Sequence, residues 1–372
     1  MDVTLEDMGW GEDFERAFKP YRKQGWVPGR LLEETKINFR AWIEEDEELE
    51  VVTSGKVWHE AESDADLPAV GDWVAIDVQD DGDEHIIRAR LPRRTTFSRK
   101  KPGNSSEEQV IAANVDLVVV VTDALADFNI RRLERYLILI EKSGAQGLIL
   151  VNKADLVEEE EMTAIKEEIA ALESPVPVHG ISAKEGTGMS LVLEHLEAGM
   201  TMALVGSSGV GKSTLVNQLL EREELLTGEI NEVTGKGRHT TSWRELVSLP
   251  EGGMLIDNPG IREVQMWTDE ETLRESFSDI EELTAACKFS DCRHEKDKGC
   301  AIVEAVESGE LDPARYQNFL TLEDEIEELR KRRKKRQMAT ERWAKRDRKV
   351  KARNWADRVE LDQENRGEYT PE

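Results

Sequence analysis

The strongest chemical signal in the sequence is a glycine-rich segment, GSSGVGKS, at residues 206–213. It fits the pattern G-x-x-x-x-G-K-S and lies between an apolar run, MALV, and a helix-like run, STLVNQLL. In such a loop the backbone N–H groups surround nucleotide phosphates, the lysine reaches the β and γ oxygens, and the serine hydroxyl binds Mg²⁺. Lys212 is therefore predicted to be catalytic and Ser213 to bind Mg²⁺. The residues predicted to contact the nucleotide are Gly206, Ser207, Ser208, Gly209, Val210, Gly211, Lys212, Ser213 and Thr214.

A second segment, NKAD at residues 152–155, follows the apolar run LILV and indicates which base is bound. The carboxylate of Asp155 can accept hydrogen bonds from the N1–H and the exocyclic amine of guanine, whereas adenine would leave this carboxylate unpaired. Asn152 and Lys153 belong to the same motif. The segment SAK, which is Ser182, Ala183 and Lys184, also follows an apolar run and is predicted to support the base contact. The expected ligands are GTP and GDP.

Two segments after the phosphate loop supply the remaining parts of a GTPase. DNPG at 257–260 places Asp257 to hold the Mg²⁺ shell through water and Gly260 to offer its N–H to the γ-phosphate, a catalytic contact. In the glycine-rich segment GKGRHTT at 235–241, Thr240 is the predicted Mg²⁺ ligand. By themselves these segments would be interpreted as an Asx-Pro turn and as a simple connector, respectively, so their assignment to a GTPase depends on the other motifs.

The order of these five motifs is unusual, because the base motif and its support precede the phosphate loop. An ordinary guanine-nucleotide domain has the phosphate loop first, so this order indicates a circular permutation. Such a change is physically permissible because the ends of compact domains often lie close together and can be joined. The predicted join is a short turn at residues 198–199.

A metal-binding pattern follows, in which Cys287, Cys292, His294 and Cys300 have the spacing C-x4-C-x-H-x5-C. These four residues suit a closed tetrahedral zinc site with no open position, so one structural Zn²⁺ is predicted. The chain has only three cysteines, and the odd number disfavours a disulfide framework. The alternative of free cysteines in a core fits poorly, because KFSDCRHEKDKGC is strongly polar.

The elements that must position these residues follow two patterns. From about 37 to 97, short β-rich runs separated by Gly, Asp and Pro predict a small barrel or sandwich of about five strands. From about 110, apolar runs such as NVDLVVVVTDA and QGLILVNKAD alternate with amphipathic helical segments such as NIRRLERYLILIEKSG. This alternation predicts a doubly wound α/β domain.

Charge is distributed unevenly along the chain. The net charge of −28 would by itself argue against a nucleic-acid partner, although an acidic surface is also typical of proteins adapted to a salty cytoplasm. Residues 330–353 oppose this trend, with fourteen Lys and Arg against Glu341 and Asp347. This basic tail is interpreted as an arm that contacts nucleic acid or, alternatively, as a solvated charged helix. A second basic patch is predicted at 93–101, RRTTFSRKK. No apolar run is long enough to cross a bilayer and the start does not resemble a signal peptide, so a cytoplasmic protein without a membrane partner is expected.

The chain resembles the RsgA (YjeQ) family, the circularly permuted GTPases that depend on the small ribosomal subunit. The resembling segments include PAVGDWV, LPRRTTFSRK, FNIRRLERYL, NKADL, GSSGVGKSTLVN and GKGRHTT, and the similarity covers roughly residues 35–330. The resemblance implies an OB-fold domain, a permuted GTPase domain and a carboxyl-terminal zinc domain that act in late maturation of the small (30S) subunit. The sequence departs from the family at Asn258, where the family has Thr in D-T-P-G.

The predicted architecture therefore has several domains: an OB-like barrel, a permuted P-loop α/β GTPase domain and a helical zinc-binding domain. The predicted boundaries are 1–34 for an amino-terminal lead-in, 35–100 for the barrel, 101–275 for the GTPase domain, 276–330 for the zinc-binding domain and 331–372 for a basic helical tail. We expect a monomer whose partners are GTP or GDP and the small ribosomal subunit with its rRNA.

Hydrolysis is expected to be slow without a partner. Ordinary GTPases place a water-orienting Gln just after the glycine of the second switch, but here that position is Ile261. His239, in the first switch segment, is the candidate helper once a partner orders that loop, as the resemblance also implies. Two functions remain: a GTPase whose hydrolysis is triggered by the small subunit and releases the factor, or an rRNA-binding scaffold that uses GTP mainly as a structural ligand.

Overall fold

The structure is a computed structural model of the 372-residue chain. The residues that it describes are 3–35, 38–44, 47–79, 84–101, 107–125, 127–172, 176–221, 245–257, 270–289, 292, 294, 299–328, 330, 331, 334, 335 and 338. The chain divides into two compact units, Met1–Leu320 and Thr321–Glu372. In the second unit the structure describes a helix over residues 321–328. No helix among the described residues is both long enough and apolar enough to span a membrane.

A closed five-stranded barrel forms the amino-terminal part of the first unit. Its strands are β1 (Val27–Glu34), β2 (Phe39–Ile43), β3 (Glu47–Thr53), β4 (Trp73–Asp77) and β5 (His85–Arg90). They pair in the order β1-β2-β3-β5-β4, and β4 pairs back with β1. The short helix α2 (Gly55–Glu60) lies between β3 and β4 in the chain. Apolar side chains fill the interior, among them Leu31, Val51 and Ile87, so the predicted small barrel is confirmed.

The first barrel strand lies where the sequence predicted an irregular lead-in, over residues 1–34, and that prediction is wrong. Pro28 and Gly29 obscured the strand pattern, because both residues are uncommon inside strands. The glycine is needed there, since a Cβ on Gly29 would lie 2.3 Å from Cδ1 of Ile76. A larger residue at this point would therefore require the side chain of Ile76 to move.

The same segment also contains the helix α1 (Glu12–Arg22), which aromatic side chains attach to the barrel. The ring of Trp10 lies 4.7 Å from that of Trp73 on β4 and 5.7 Å from that of Phe14. Phe14 and Phe18 are buried on one face of the helix. Because aromatic pairs of this kind contribute beyond their buried area, they stabilise the packing of this segment against β4.

An antiparallel hairpin, β6 (Thr96–Lys100) with β7 (Glu108–Ala113), follows the barrel. It contains much of the predicted basic patch at 93–101, whose cations are largely matched by carboxylates. The ion pairs are Arg93 with buried Asp72, Arg94 with Asp13, and Lys101 with Asp64 and Glu107. Three of the five cations of the patch, Arg93, Arg94 and Lys101, are therefore already paired with carboxylates.

A six-stranded region of the sheet forms the α/β domain. Its strands are β8 (Leu117–Asp123), β9 (Gln146–Asn152), β10 (Val178–Gly180), β11 (Thr201–Val205), β12 (Glu245–Ser248) and β13 (Met254–Asp257). Their spatial order is β10-β9-β8-β11-β13-β12, and every pairing is parallel except that of β12 with β13. The helices are α3 (Ile130–Ser143), α4 (Glu159–Ala170), α5 (Met189–Leu193) and α6 (Lys212–Leu219). The predicted α/β domain is confirmed.

The turn at residues 198–199 connects α5 to β11, where the permutation places its join. The N–H of Met200 donates to the carbonyl of Glu197, and Gly199 has φ +79°. A Cβ on Gly199 would lie 2.7 Å from the carbonyl oxygen of Glu6. Glycine is therefore favoured at residue 199 for two reasons: it adopts the left-handed backbone readily, and it leaves room for the amino-terminal segment that passes beside it.

The carboxyl-terminal part of the first unit is helical, with α7 (Glu270–Ser276), α8 (Ser278–Ala285), α9 (Ala301–Ser308) and helical residues 313–320. Glu134 on α3 is buried and accepts from Arg315 at 2.7 Å and from Asn318 at 2.7 Å. Arg315 also makes two hydrogen bonds of 2.9 Å to Asp279 on α8. Because a buried charge is tolerated only when it is paired, this network fixes the helices of the Cys/His region against the α/β domain.

Candidate nucleotide site and Cys/His cluster

The phosphate loop connects β11 to α6, and its three glycines, Gly206, Gly209 and Gly211, all have positive φ. A Cβ on Gly206 would lie 2.1 Å from the carbonyl oxygen of Val121, and one on Gly211 would lie 2.3 Å from Nδ2 of Asn152. Neighbouring strands therefore pass too closely for other residues at either position. Val210 is buried, whereas Ser208, Gly209 and Ser213 are exposed, and Ser207 and Thr214 are intermediate. The loop opens at the carboxyl edge of the sheet, where ligands bind in folds of this type.

Lys212 is the first residue of α6, and its ammonium group points back into the loop. Its Nζ donates to the carbonyl of Gly206 at 2.7 Å and to that of Ser207 at 2.5 Å. Burial lowers the pKa of Lys212 to about 8, although Asp127 and Asp257 oppose the shift. Both carboxylates therefore lie close enough to influence this amine. Asp257 ends β13, the strand beside β11, so the structure brings it to the phosphate loop as predicted.

Asn152 joins three predicted motifs through one buried side chain. Its Nδ2 donates to the carbonyl of Val210 in the phosphate loop at 2.7 Å. Its Oδ1 accepts from the N–H of Ala183 in the SAK segment at 2.9 Å. The amide thus connects the end of β9 to both neighbouring loops, and the three segments form one site although up to 58 residues separate them.

The remaining base-motif residues lie at the rim of this site. Lys153 has φ +62° and Asp155 lies in an exposed 3₁₀ turn, Ala154–Leu156. Ser182 is buried and its hydroxyl accepts from the N–H of Glu185 at 3.2 Å, which shapes the SAK turn. Lys184 is 81% exposed. The turn therefore offers its backbone near the base motif, while the lysine side chain faces solvent.

A carboxylate that the sequence reasoning missed, Asp123, lies at the end of β8 and pairs with Lys153 at 2.6 Å. Burial by itself would raise the pKa of Asp123, but hydrogen bonds from Lys153 and from the N–H groups of Asp127 and Leu125 hold it below its usual value. The available signal was its position, because Asp123 follows LVVVVT just as Asn152 follows LILV.

Some predicted residues lie outside the described part of the chain. They are His239, Thr240, Gly260, Ile261 and Asn258. Their predicted roles remain predictions.

The Cys/His cluster comprises Cys287, Cys292, His294 and Cys300, whose ligand atoms all lie within 4.8 Å of one another. The Sγ atoms of Cys287 and Cys300 are 3.9 Å apart, and each is 3.5 Å from Nδ1 of His294. A tetrahedral zinc with ordinary bond lengths requires edges of about 3.8 Å between sulfurs and about 3.6 Å between sulfur and nitrogen. The donor set and its spacing therefore fit Zn²⁺.

The backbone favours the thiolate form of Cys287, whereas the pKa of Cys292, which the backbone N–H of His294 lowers, is raised on balance to about 12 by burial and the other two thiols. Burial would raise the pKa of the Cys287 thiol, but backbone N–H groups of Ala301 and Ile302 at the start of α9 lower it below its ordinary value. A thiolate is the form that binds a metal. His294 has φ +58°, a strained conformation for a residue other than glycine, and this backbone turns its ring towards the sulfurs.

The strand order, the phosphate loop after β11 and the base motif after β9 define a class of protein: a P-loop GTPase domain whose chain is circularly permuted. Comparison with known families agrees. The family described as RsgA GTPase matches residues 90–267, and the family described as 50S ribosome-binding GTPase matches residues 201–338. The second match begins at β11, from which point the motifs follow the ordinary order.

Individual relatives extend the similarity beyond that domain. A protein of Opitutus terrae named small ribosomal subunit biogenesis GTPase RsgA is 39% identical over 335 residues, which is 87% of this chain and 90% of the relative. The crystal structure of YjeQ from Thermotoga maritima matches with a TM-score of 0.58 and 26% identity over 81% of this chain and 98% of that one. That of YloQ, described as a circularly permuted GTPase, matches with a TM-score of 0.55 and 25% identity over 82% and 96%. The chain belongs to the RsgA GTPase family.

Proposed function

We propose that this protein hydrolyses GTP as an assembly factor of the small ribosomal subunit, and that contact with the subunit stimulates hydrolysis and couples it to release. The observation that carries the proposal is the double hydrogen bond of Asn152, which unites a guanine-type base motif with a phosphate loop. The small ribosomal subunit is included in the proposal because relatives that match most of this chain are named small ribosomal subunit biogenesis GTPases. The similarity to these relatives extends over 87% of this chain, which is more than the GTPase domain alone.

In this proposal the nucleotide lies along the carboxyl edge of β9, β8 and β11. Asp155 accepts from guanine, and Asn152, Lys153 and the SAK segment 182–184 hold that loop in place. The N–H groups of residues 206–214 surround the phosphates, and Lys212 exchanges its loop carbonyls for phosphate oxygens. Mg²⁺ would be held by Ser213, Thr240 and, through water, Asp257, where it would neutralise charge that develops on the phosphates.

The proposed catalytic step depends on a partner. Ile261 has no group that could orient a water molecule, so basal turnover is slow, and His239 supplies this function when the subunit orders its loop. Gly260 offers its N–H to the γ-phosphate. The segment after it leads along the chain into α7 and the Cys/His cluster, which gives nucleotide state a route to the carboxyl-terminal helices.

The four residues of the Cys/His cluster hold one structural zinc ion in this proposal, because all four tetrahedral positions are taken by protein groups. The basic tail at 330–353 is the remaining candidate for rRNA contact, since most cations of the 93–101 patch are already paired. We further propose that the protein acts as a monomer in the cytoplasm and that its domains have the boundaries given by the sequence, except that the barrel begins at β1 (Val27–Glu34).

The decisive experiment measures GTP turnover by the full chain alone, with purified small subunits and with purified large subunits, over a range of salt concentrations. Stimulation by small subunits only, weakening as salt rises, is expected. Tight GTP binding without stimulation would favour the alternative, an rRNA-binding scaffold with GTP as a structural ligand. Stimulation by large subunits alone would transfer the proposal to the other subunit, which the second family description names.

A further inference from the structure

Asp123 is a buried carboxylate between the two halves of the candidate nucleotide site. It is the last residue of β8, the strand that lies between the base-motif strand β9 and the phosphate-loop strand β11. Its side chain is 6% exposed. Asp123 belongs to none of the five motifs, and a buried charge is costly unless strong partners surround it.

The two carboxylate oxygens of Asp123 have separate partners. Oδ1 accepts from the N–H of Leu125 at 3.1 Å and from that of Asp127 at 2.9 Å, which holds the loop between β8 and α3. Oδ2 accepts from Nζ of Lys153 at 2.6 Å. One oxygen therefore organises the local loop, while the other reaches across to the base motif on the neighbouring strand.

The partner of Oδ2 is held in an unusual conformation. Lys153 has φ +62°, in the left-handed region that residues other than glycine rarely adopt and that costs about 1 kcal/mol or more. This residue turns the chain from the end of β9 into the 3₁₀ segment that carries Asp155. An ion pair at the tip of its side chain stabilises the turn and, with it, the position of the base-reading carboxylate.

We propose that Asp123 is a positioning residue for base recognition: through Lys153 it holds the NKAD turn so that Asp155 meets guanine, and it thereby sets the preference for guanine nucleotides. This inference rests on the proposed function, in which Asp155 contacts the base. It adds the end of β8 to a site that the sequence motifs place after β9, β10, β11 and β13.

The test is Asp123→Asn in the full chain. The amide keeps an oxygen that can accept from Leu125 and Asp127, but its nitrogen cannot accept from Lys153. Dissociation constants are measured by calorimetry for GDP and for inosine diphosphate. Inosine diphosphate lacks the exocyclic amine from which Asp155 accepts a hydrogen bond in guanine. The variant is expected to bind GDP roughly tenfold more weakly and to lose most of its preference for GDP over inosine diphosphate, because a misplaced carboxylate no longer detects the amine.

The matched control is Asp116→Asn. Asp116 directly precedes the first residue of β8, whereas Asp123 is the last residue of that strand. Asp116 accepts from the N–H of Thr201 at 2.7 Å, far along the strand from the base motif. This variant can lower the melting temperature, but its ratio of the two dissociation constants should equal that of the wild type. A merely structural role for Asp123 would likewise leave the ratio unchanged, so an unchanged ratio in Asp123→Asn overturns the inference.

Lys153→Met provides an independent arm in case Asp123→Asn folds poorly. It removes the same ion pair from the other side and should reduce the ratio similarly, and combining both substitutions should add little because they break one interaction. A normal ratio in Lys153→Met also overturns the inference. Failure of the wild type to bind GDP would instead overturn the proposed function, so the two failures are distinguishable.

Discussion

The nucleotide site and the Cys/His cluster are assembled in opposite ways. Asn152 alone reaches residues 58 positions away in the chain, and Asp123 reaches Lys153 over 30 positions. By contrast, the four residues of the Cys/His cluster fall within fourteen positions, 287–300. The nucleotide site depends on which strand ends lie side by side, whereas the cluster depends on local spacing. Because the nucleotide site is built from separate strand ends, a circular permutation can change the order of its motifs along the chain and still keep all of them in place.

Removing zinc should have the largest effect and should sharpen the comparison. Structural zinc contributes on the order of 10 kcal/mol to folding in small modules, so Cys300→Ser or a strong chelator should unfold the region around α8 and α9. Protease sensitivity and metal content measure this loss. The GDP dissociation constant should stay within about threefold, because no residue of the nucleotide site lies in the cluster. Simultaneous loss of GDP binding would show that the two sites fold as one.

Lys212→Ala should have the next largest effect. The ammonium group is the only side-chain cation that the phosphate-loop motif supplies, and loss of one such stabilising contact costs roughly 10²–10³ in turnover. Subunit-stimulated GTP hydrolysis measures this effect. The control is Lys166→Ala, an exposed lysine on α4, which should leave turnover within about twofold. Equal turnover in both variants would contradict the predicted role of Lys212 in GTP hydrolysis.

Asn152→Ala tests the long-range character of the nucleotide site. The change leaves the carbonyl of Val210 and the N–H of Ala183 without their buried partner, which costs about 1–3 kcal/mol. GDP affinity should therefore fall roughly ten- to hundredfold, as calorimetry can measure. The control, Asn129→Ala, removes the cap of α3 and should reduce stability while GDP affinity is retained. If only Asn129→Ala weakened GDP binding, the two hydrogen bonds of Asn152 would have no role in nucleotide binding.

The smallest expected effect concerns pH. The pKa of Lys212 is lowered to about 8, mainly by burial, with Asp127 and Asp257 nearby. Phosphates bind the charged amine, so GDP affinity should fall as pH rises through about 8, by at most about tenfold per pH unit. Between about 8 and its ordinary value of 10.5, the unfolded chain binds more protons at this group than the folded chain does. Lys212 therefore makes the nucleotide-free protein more stable as pH rises there.

Both trends can be measured with the same samples. Titration calorimetry gives the GDP dissociation constant from pH 7 to 9.5, and thermal unfolding gives the stability of the nucleotide-free protein. Lys212→Met should remove both pH dependences while leaving the cluster intact. Affinity that is independent of pH in the wild type would mean that the amine stays protonated in the loop.

The motifs and alternating apolar runs predicted much of the molecule because they report local requirements. GSSGVGKS, NKAD and the Cys/His spacing each carry their chemistry within a few residues, and the parallel strands β8, β9, β11 and β13 contain continuous apolar runs. The first barrel strand was missed because Pro28 and Gly29 satisfy contacts across the barrel that the local pattern does not contain. The pairing of Arg93 with Asp72 was missed for the same reason, since a basic run gives no sign of where its counter-charges lie.

The sequence by itself determined the chemistry: a phosphate loop, a guanine-type base motif, three Cys and one His with the spacing of metal ligands, and the inverted order of the motifs. Only the tertiary structure decided how these parts meet. It placed β8 between β9 and β11 and brought Asp123 to Lys153. It also brought Nε2 of His179 to within 2.9 Å of Nε2 of His195, and it paired most cations of the basic patch with carboxylates. The physical reason is that residue types and short spacings fix which bonds a side chain can make. Which bonds it does make depends on neighbours that only the folded sheet supplies.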